Sequence, residues 1–232
     1  MKVSIIIPVY NEEKTILKII NKILKLKHIN KELIVVNDGS TDNTKKLLNT
    51  LSGKRIKIIN YNKNLGKGGA IRSAQKHITG THVIIQDADL EYDPSDYKNL
   101  LNPFKKPNIS VVYGSRVLKK KRYKLKSFSS FERIFYNHIL TIISNIINGQ
   151  RLSDAHTCYK VFKSNIFKSI RLEENGFGFC PEITTKISNL NINIHEVPIS
   201  YRGRSYLEGK KITYLDGIRA VYALFKYKFI RY

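Results

Sequence analysis

Asp87, Asp89 and Glu91 stand at alternate positions directly after the apolar run Val83-Ile84-Ile85. A short apolar run that breaks into carboxylates reads as a buried strand delivering charge to its C-terminal end, the edge at which α/β sheets bind ligands. Hard oxygen donors gathered at one point suit Mg²⁺ or Mn²⁺, ions that typically bridge a carboxylate and a phosphate group. The same residues also fit an acidic turn opening a helix, because Asp93-Pro94-Ser95 can cap one. The surrounding elements decide between the two.

Residues 3–9 read as a buried strand. Asn11-Glu12-Glu13 then opens a helix whose apolar positions Ile16, Ile19, Ile20, Ile23 and Leu24 share one face. Leu33 to Val36 is a second strand, and Asp38-Gly39-Ser40-Thr41-Asp42 a turn in which Asp42 can cap a helix running through Leu51. Ile56 to Ile59 is a third strand. Asn64-Leu65-Gly66-Lys67-Gly68-Gly69 leads into a helix over 70–78; this loop lacks P-loop spacing and is read as mainly structural. Val83 to Gln86 and Val111 to Tyr113 are the fourth and fifth strands. Strand and helix alternate with short loops, which predicts an α/β fold: a mostly parallel sheet with helices on both faces.

The pattern changes after Arg116. Residues 116–126 are strongly basic, and a helix is expected over 128–147. Its apolar residues, among them Phe128, Phe131, Ile134, Phe135, Ile139, Ile142, Ile143 and Ile146, wrap beyond one stripe. Such a helix is either deeply buried or laid in an apolar medium with the basic run against lipid headgroups. Residues 155–163 and 192–199 read as strands, with a short helix over 181–190. The tail interleaves Ile218, Val221, Tyr222, Leu224 and Phe225 with Arg219, Lys226, Lys228 and Arg231, a basic amphipathic helix that suits a membrane surface or packing on the main domain. The expected division is a catalytic domain over 1–211 and a C-terminal helix over 212–232.

A chain of 232 residues suits one large domain or one with a short appendage, and 42% apolar content is ordinary for a globular protein. A net charge of +23 is not ordinary. It points to an anionic partner, whether nucleic acid, a membrane surface or a phosphorylated substrate, although part of it is a compositional drift toward Lys on solvated surface. A nucleic-acid module is disfavoured: an acid cluster at a strand end repels phosphates unless a metal intervenes, and the cations are not interleaved with an RNA-binding signature. Cys158 and Cys180 form no disulfide framework or CxxC pair, which suggests a reducing compartment. Met1 and Lys2 lead straight into strand residues, too little for a signal peptide, and no run approaches the ~20 apolar residues that span a bilayer. The expected location is cytoplasmic, peripheral on the cytoplasmic face of a membrane.

Four segments follow strands and should therefore share one sheet edge: Pro8-Val9-Tyr10-Asn11-Glu12, Val36-Asn37-Asp38-Gly39-Ser40-Thr41-Asp42, Asp87-Ala88-Asp89 and Gly114-Ser115-Arg116. Together with Ser153-Asp154, Thr157-Cys158-Tyr159-Lys160-Val161-Phe162, and Glu196-Val197-Pro198-Ile199-Ser200-Tyr201 followed by Arg204 and Lys210, this set resembles the family 2 glycosyltransferases of GT-A fold. Within them it is most similar to the polyprenyl-phosphate sugar synthases: dolichol-phosphate mannose synthase and the dolichyl- or undecaprenyl-phosphate glucosyltransferases. The resemblance runs from residue 3 to about 217.

The resemblance implies a metal-dependent, inverting transfer of a hexose, glucose or mannose, from a UDP- or GDP-sugar to a polyprenyl phosphate at a membrane surface. Pro8, Tyr10, Glu12, Val36, Asp38 and Ala88 would border the donor, with Asp38 on base or ribose. Asp89 and Glu91 would hold Mg²⁺ or Mn²⁺ on the diphosphate, with Asp87 near the ribose or metal; many relatives carry another polar residue in place of Glu91. Arg116, Arg204 and Lys210 would neutralise phosphates, a task for which the planar guanidinium fork is suited. Asp154 would orient the acceptor or a cation, or serve only as a turn acid. Two departures matter. Many bacterial relatives continue into transmembrane helices, so membrane contact here is expected from the 128–147 helix, the basic run and the tail. Residues 206–212 differ from the corresponding segment of mannose synthases, which leans the reading slightly away from mannose. The alternative is a saccharide acceptor in cell-surface polysaccharide synthesis. That reaction needs a general base, with Asp154 or Glu182 as the candidates.

Overall fold

The computed structural model describes residues 1–51, 53, 55–118, 131–204 and 214–230. The expected Lys210 and the basic run over 119–126 lie outside the described residues, as does Phe128.

Seven strands form one sheet in the order β3-β2-β1-β4-β6-β5-β7. They are β1 (Lys2–Val9), β2 (Asn30–Asp38), β3 (Ile56–Tyr61), β4 (His82–Ile85), β5 (Val111–Ser115), β6 (Lys160–Lys163) and β7 (His195–Pro198). β1, β2, β3 and β4 pair in parallel, as do β5 and β7. β6 is antiparallel to both β4 and β5, so β5 again runs in the direction of β4. The sheet is thus mostly parallel with one reversed strand, and the ends of β1, β2, β4 and β5 lie along one edge as expected. Near-continuous apolar runs make this possible: Ile5, Ile6, Ile7, Leu33 to Val36 and Val83 to Ile85 are buried whichever face they occupy, the habit of parallel strands covered on both sides.

The helices are α1 (Ile16–Lys25), α2 (Thr44–Asn49), α3 (Gly66–Ala74), α4 (Tyr97–Leu101), α5 (Phe131–Asn148), α6 (Ser164–Ser169), α7 (Phe179–Asn189) and α8 (Tyr214–Phe229). Several elements differ from expectation. Residues 11–15 form a turn, and α1 starts at Ile16. The third helix starts four residues early, inside the glycine run, and ends in a 3-10 turn at Gln75–His77. The strands expected over 155–163 and 192–199 shorten to β6 and β7. Residues 153–159 instead make side-chain and backbone contacts around the site described below.

α5 is built inside out. Its buried positions include Thr141, Ser144 and Asn148, whereas Phe135, Tyr136, Ile139, Ile142 and Ile146 are exposed, Ile146 to 77%. α8 packs on α7 and α5 through Ala220, Ala223, Leu224 and Tyr227 and turns Ile218, Tyr222, Phe225 and Phe229 outward. Positions 135, 139, 142, 146 and 218, 222, 225, 229 each follow helical spacing, so two adjacent helices present two apolar stripes. Among the described residues, no helix is long and apolar enough to cross a membrane.

Candidate active site

The shared strand edge opens into a cavity of about 380 Å³. Pro8, Tyr10 and Glu12 line it from the end of β1, Asp38 from β2, Asp87, Ala88, Asp89 and Glu91 from the turn after β4, Arg116 from beyond β5, and Arg204 from the segment after β7. Ten sequence-predicted residues are therefore brought together. Val36 is not among them: its side chain is fully buried in the core of β2. Asp154 does not line the cavity either.

The acid turn is tight. Leu90 adopts φ +63°, uncommon for a branched side chain, which carries the chain sharply from Asp89 to Glu91. Asp89 is held by Arg204 Nη2 at 3.1 Å and accepts Glu91 N at 3.1 Å. Burial, then the charges of Asp87 and Glu91, push its carboxyl up to about 7. Glu91, expected as a metal ligand, has protein partners of its own. Its carboxylate accepts from Tyr201 Oη at 2.8 Å and from Arg204 N at 2.8 Å, so it ties the 201–204 segment to the turn. Glu12 takes both terminal nitrogens of Arg204, at 3.0 and 3.2 Å. Arg204 therefore hangs over the acids between three carboxylates. Burial works against its charge, but Asp89 and Glu12 hold it protonated.

Arg116 is aimed by Asp154. Nε and Nη2 reach the two carboxylate oxygens at 2.7 and 2.8 Å, Asn137 of α5 donates to the same carboxylate at 3.2 Å, and the guanidinium lies 5.1 Å from the centre of the Tyr201 ring. Burial alone would raise the Asp154 carboxyl; Arg116 instead holds it down at about 2. Asp154 is thus a permanent carboxylate that orients a cation, Arg116, one of the two roles expected for it. Glu182, the other candidate base, is fully buried in α7, where it accepts Glu173 N, Glu174 N and Lys186 Nζ at 2.7, 3.0 and 2.8 Å.

Asp38 also has a second task. Its two oxygens accept the amides of Leu65 and Gly66, both at 2.8 Å, and so fix the N-terminus of α3 from a neighbouring strand. That long-range cap explains why the helix begins within the glycines. Gly66 has φ +83°, and a Cβ at Gly68 would overlap the carbonyl of Glu174, so a close backbone approach demands the glycines there. The construction delivers Lys67, which sequence reasoning passed over. Its Nζ lies 2.5 Å from Asp87, and although burial opposes its charge, Asp87 keeps it protonated. The signal for it was present: a single lysine among glycines next to a strand-edge ligand site. Tyr92, His156, Cys158, Phe177, Cys180 and Tyr201 also line the cavity. Burial, then Lys160, pushes His156 down to about 4, so it is neutral at pH 7.

Among the described residues, no three His, Cys, Asp or Glu side chains converge as a ready-made metal cage. Asp87 and Asp89 nevertheless fit a divalent ion of the Mg²⁺ or Mn²⁺ kind, which takes one or two carboxylates and completes its shell with phosphate oxygens and water. The raised Asp89 carboxyl marks a local excess of negative charge that such an ion would relieve.

The family model for glycosyl transferase family 2 matches residues 4–171. The chain belongs to glycosyl transferase family 2. As a family 2 glycosyltransferase, it is similar to the dolichyl-phosphate beta-glucosyltransferase ALG5A of Trichomonas vaginalis, 30% identical over 90% of this chain and 67% of that protein. The dolichol-phosphate mannosyltransferase of Pyrococcus furiosus is 27% identical over 98% of this chain and 65% of its own length. The UDP-N-acetylglucosamine–dolichyl-phosphate N-acetylglucosaminyltransferase of Methanococcus voltae is 26% identical over 97% and 96% respectively. The chain thus spans about two thirds of the first two relatives and nearly all of the third. Among solved structures, glucosyl-3-phosphoglycerate synthase from Mycobacterium tuberculosis, in complex with Mn²⁺, UDP and glucosyl-3-phosphoglycerate, superposes with a TM-score of 0.73 at 18% identity, covering 99% of this chain and 81% of that one. That likeness establishes the fold.

Lys67→Met gives one expected result at this site. Removing a cation placed beside the acids should raise the KM for a nucleotide-sugar donor by roughly 10-fold or more, the scale of a lost charge-assisted hydrogen bond. Steady-state kinetics at varied donor concentration checks this; an unchanged KM would make Lys67 a partner of Asp87 only.

Proposed function

We propose that this glycosyltransferase moves a hexose, glucose in preference to mannose, from a nucleotide-diphosphate sugar to a polyprenyl phosphate at a membrane surface. The observation that carries the acceptor assignment is the inverted face of α5. The helix that turns Phe135, Ile139, Ile142 and Ile146 outward also supplies Asn137 to the Arg116–Asp154 cluster at the cavity. An acceptor with an apolar tail and an anionic head would meet both features in order. The stripe on α8 widens the apolar surface, and the net charge of +23 complements anionic headgroups. The dolichyl-phosphate acceptors named for the relatives support the same class.

A lipid phosphate is already an anion at neutral pH, so it attacks the anomeric carbon without a strong base. The two candidate bases are both engaged elsewhere, which favours this acceptor over a saccharide hydroxyl. Catalysis then consists of aligning two mutually repelling anions and stabilising the departing diphosphate. Lys67 and Arg204 stand on the diphosphate side of the cavity, and Arg116, locked by Asp154, on the acceptor side. A divalent ion held by Asp89, with Asp87 beside it, would neutralise charge on the leaving group. Attack opposite the leaving group inverts the anomeric centre.

Two results test this reading. With UDP-glucose as donor, polyprenyl phosphate should accept label while the corresponding polyprenyl alcohol and soluble oligosaccharides do not; transfer to an alcohol or a saccharide would overturn it. Wild-type protein should float with anionic phospholipid vesicles, and the double variant Ile142→Asp/Phe225→Asp should stay in the soluble fraction, since each buried apolar side chain is worth about 1.5–3 kcal/mol. Equal flotation of the two proteins would remove the apolar face from the account.

A further inference from the structure

The C-terminal helix carries a group whose position a purely membrane-binding role does not explain. Tyr227 is on the inner side of α8 and is buried. Its hydroxyl donates to Glu174 Oε1 at 2.7 Å, and Lys226 Nζ approaches the same oxygen at 3.4 Å. The backbone at Tyr227 is pinned too, because Asn189 of α7 donates to its carbonyl at 2.9 Å. Glu174 belongs to the segment 173–178, which reaches the active-site cavity. Phe177 lines the cavity directly, as does Cys180 just beyond.

That segment is also clamped onto the N-terminus of α3. Gly69 N donates to Asn175 O at 3.0 Å, and Arg72 reaches Glu173 O and Asn175 Oδ1 at 2.7 and 2.8 Å. The glycine at 68 is required because Glu174's own carbonyl presses on it. Lys67 stands between these contacts. A chain of hydrogen bonds therefore runs from α8 through Glu174 and its neighbours to the residues that flank Lys67. Glu182 supports the same segment from below through the amides of Glu173 and Glu174.

We propose that Tyr227 and Glu174 are positioning residues for the nucleotide-sugar site, so that α8 is a working part of donor binding as well as a face toward the membrane. The hydroxyl of Tyr227 fixes the Glu174 side chain, Glu174 fixes segment 173–178, and that segment sets both the Phe177 wall and the height of Lys67 above Asp87. The inference rests on the nucleotide-sugar reading of the cavity.

The test uses the whole chain without membranes or vesicles, as wild type, Tyr227→Phe, Glu174→Ala and Glu174→Gln. UDP and GDP binding are measured by calorimetry, kinetics with UDP-glucose and polyprenyl phosphate are split into KM and kcat, and thermal melts are recorded beside them. Tyr227→Phe and Glu174→Ala should weaken nucleotide binding and raise the donor KM by about 5- to 20-fold, the loss of one partly buried hydrogen bond to a charged acceptor, with kcat changed less than 2-fold. Glu174→Gln keeps an acceptor oxygen for the Tyr227 hydroxyl and should recover most of the affinity. A lowered melting temperature with unchanged nucleotide affinity and donor KM would make the pair merely structural and overturn the inference. Failure of both UDP and GDP to bind the wild type would instead overturn the donor reading on which it rests.

Discussion

Asp89→Asn is expected to abolish glycosyl transfer and, above pH 7, to make the protein more stable. Both effects have one origin. Asp89 sits between Asp87 and Glu91 in a half-buried turn, and its carboxyl is pushed up to about 7 by burial first and by those two charges next. The folded state therefore keeps a proton there that the unfolded chain releases in the ordinary carboxylate range. Across that interval the folded state binds more protons, so its stability falls as the pH rises. Asparagine does not titrate. The stability difference between variant and wild type should be small below about pH 4, grow up to about pH 7 and level off above it. Allowing for the turn's partial exposure and for the charged contact that Arg204 loses in the variant, the gain is about 2 kcal/mol, or roughly 4–8 °C in melting temperature at pH 8. Activity should fall by about 10³-fold or more, because the variant loses a group aimed at charge that develops on the leaving diphosphate. Melts in EDTA at pH 4, 6 and 8 read the first effect. Adding Mn²⁺ should then raise the wild-type melting temperature and leave the variant unmoved. A variant less stable than wild type at pH 8 would mean that Arg204, and not the acid cluster, governs this turn.

Asp154→Asn should have the opposite effect on stability and a comparable effect on activity. Asp154 is fully buried and accepts three nitrogens of the Arg116 residue: the backbone amide at 3.1 Å, Nε at 2.7 Å and Nη2 at 2.8 Å. Removing its charge strands the buried guanidinium, a change that typically costs about 3–5 kcal/mol, or roughly 6–20 °C here. The sign with pH is fixed as well. The folded carboxyl titrates at about 2, below its unfolded range, so its contribution is complete at neutral pH and fades only as the pH drops toward 2. The deficit of the variant should therefore persist from neutral pH down to about pH 4 and shrink below that. Arg116→Lys should not restore transfer, because an ammonium cannot reproduce the forked contact that aims the group into the cavity. Thermal melts at pH 7 and pH 3 distinguish this from a surface ion pair, which would show a change of a few tenths of a kcal/mol at either pH.

Much of the site was legible because parallel strands place their C-terminal ends together. Once Pro8, Asp38, Asp89 and Arg116 are each placed at or shortly after the C-terminal end of a strand, their convergence follows from topology. What stayed hidden were partners distant in sequence. Asp154 lies 38 residues from Arg116, and nothing local distinguishes a turn acid from the counter-ion of a buried arginine. Glu91 looks like a metal ligand by spacing, but Tyr201 and Arg204, more than 100 residues away, claim its oxygens. The start of α3 was misplaced because its cap, Asp38, comes from another strand. α5 shows the limit of periodicity most plainly. Its apolar residues wrap the helix, so the sequence left burial and an apolar medium both open. Only the packing reveals that Thr141, Ser144 and Asn148 face inward beside Ile134, while Phe135, Tyr136, Ile139, Ile142 and Ile146 face outward.

The most direct test of the account is transfer of labelled glucose from UDP-glucose to a short polyprenyl phosphate by the purified protein with Mn²⁺, followed by organic extraction. The account predicts label in the organic phase, in an inverted β linkage to phosphate, that disappears in Asp89→Asn. UDP-glucose that is bound or hydrolysed with no labelled lipid formed would contradict it.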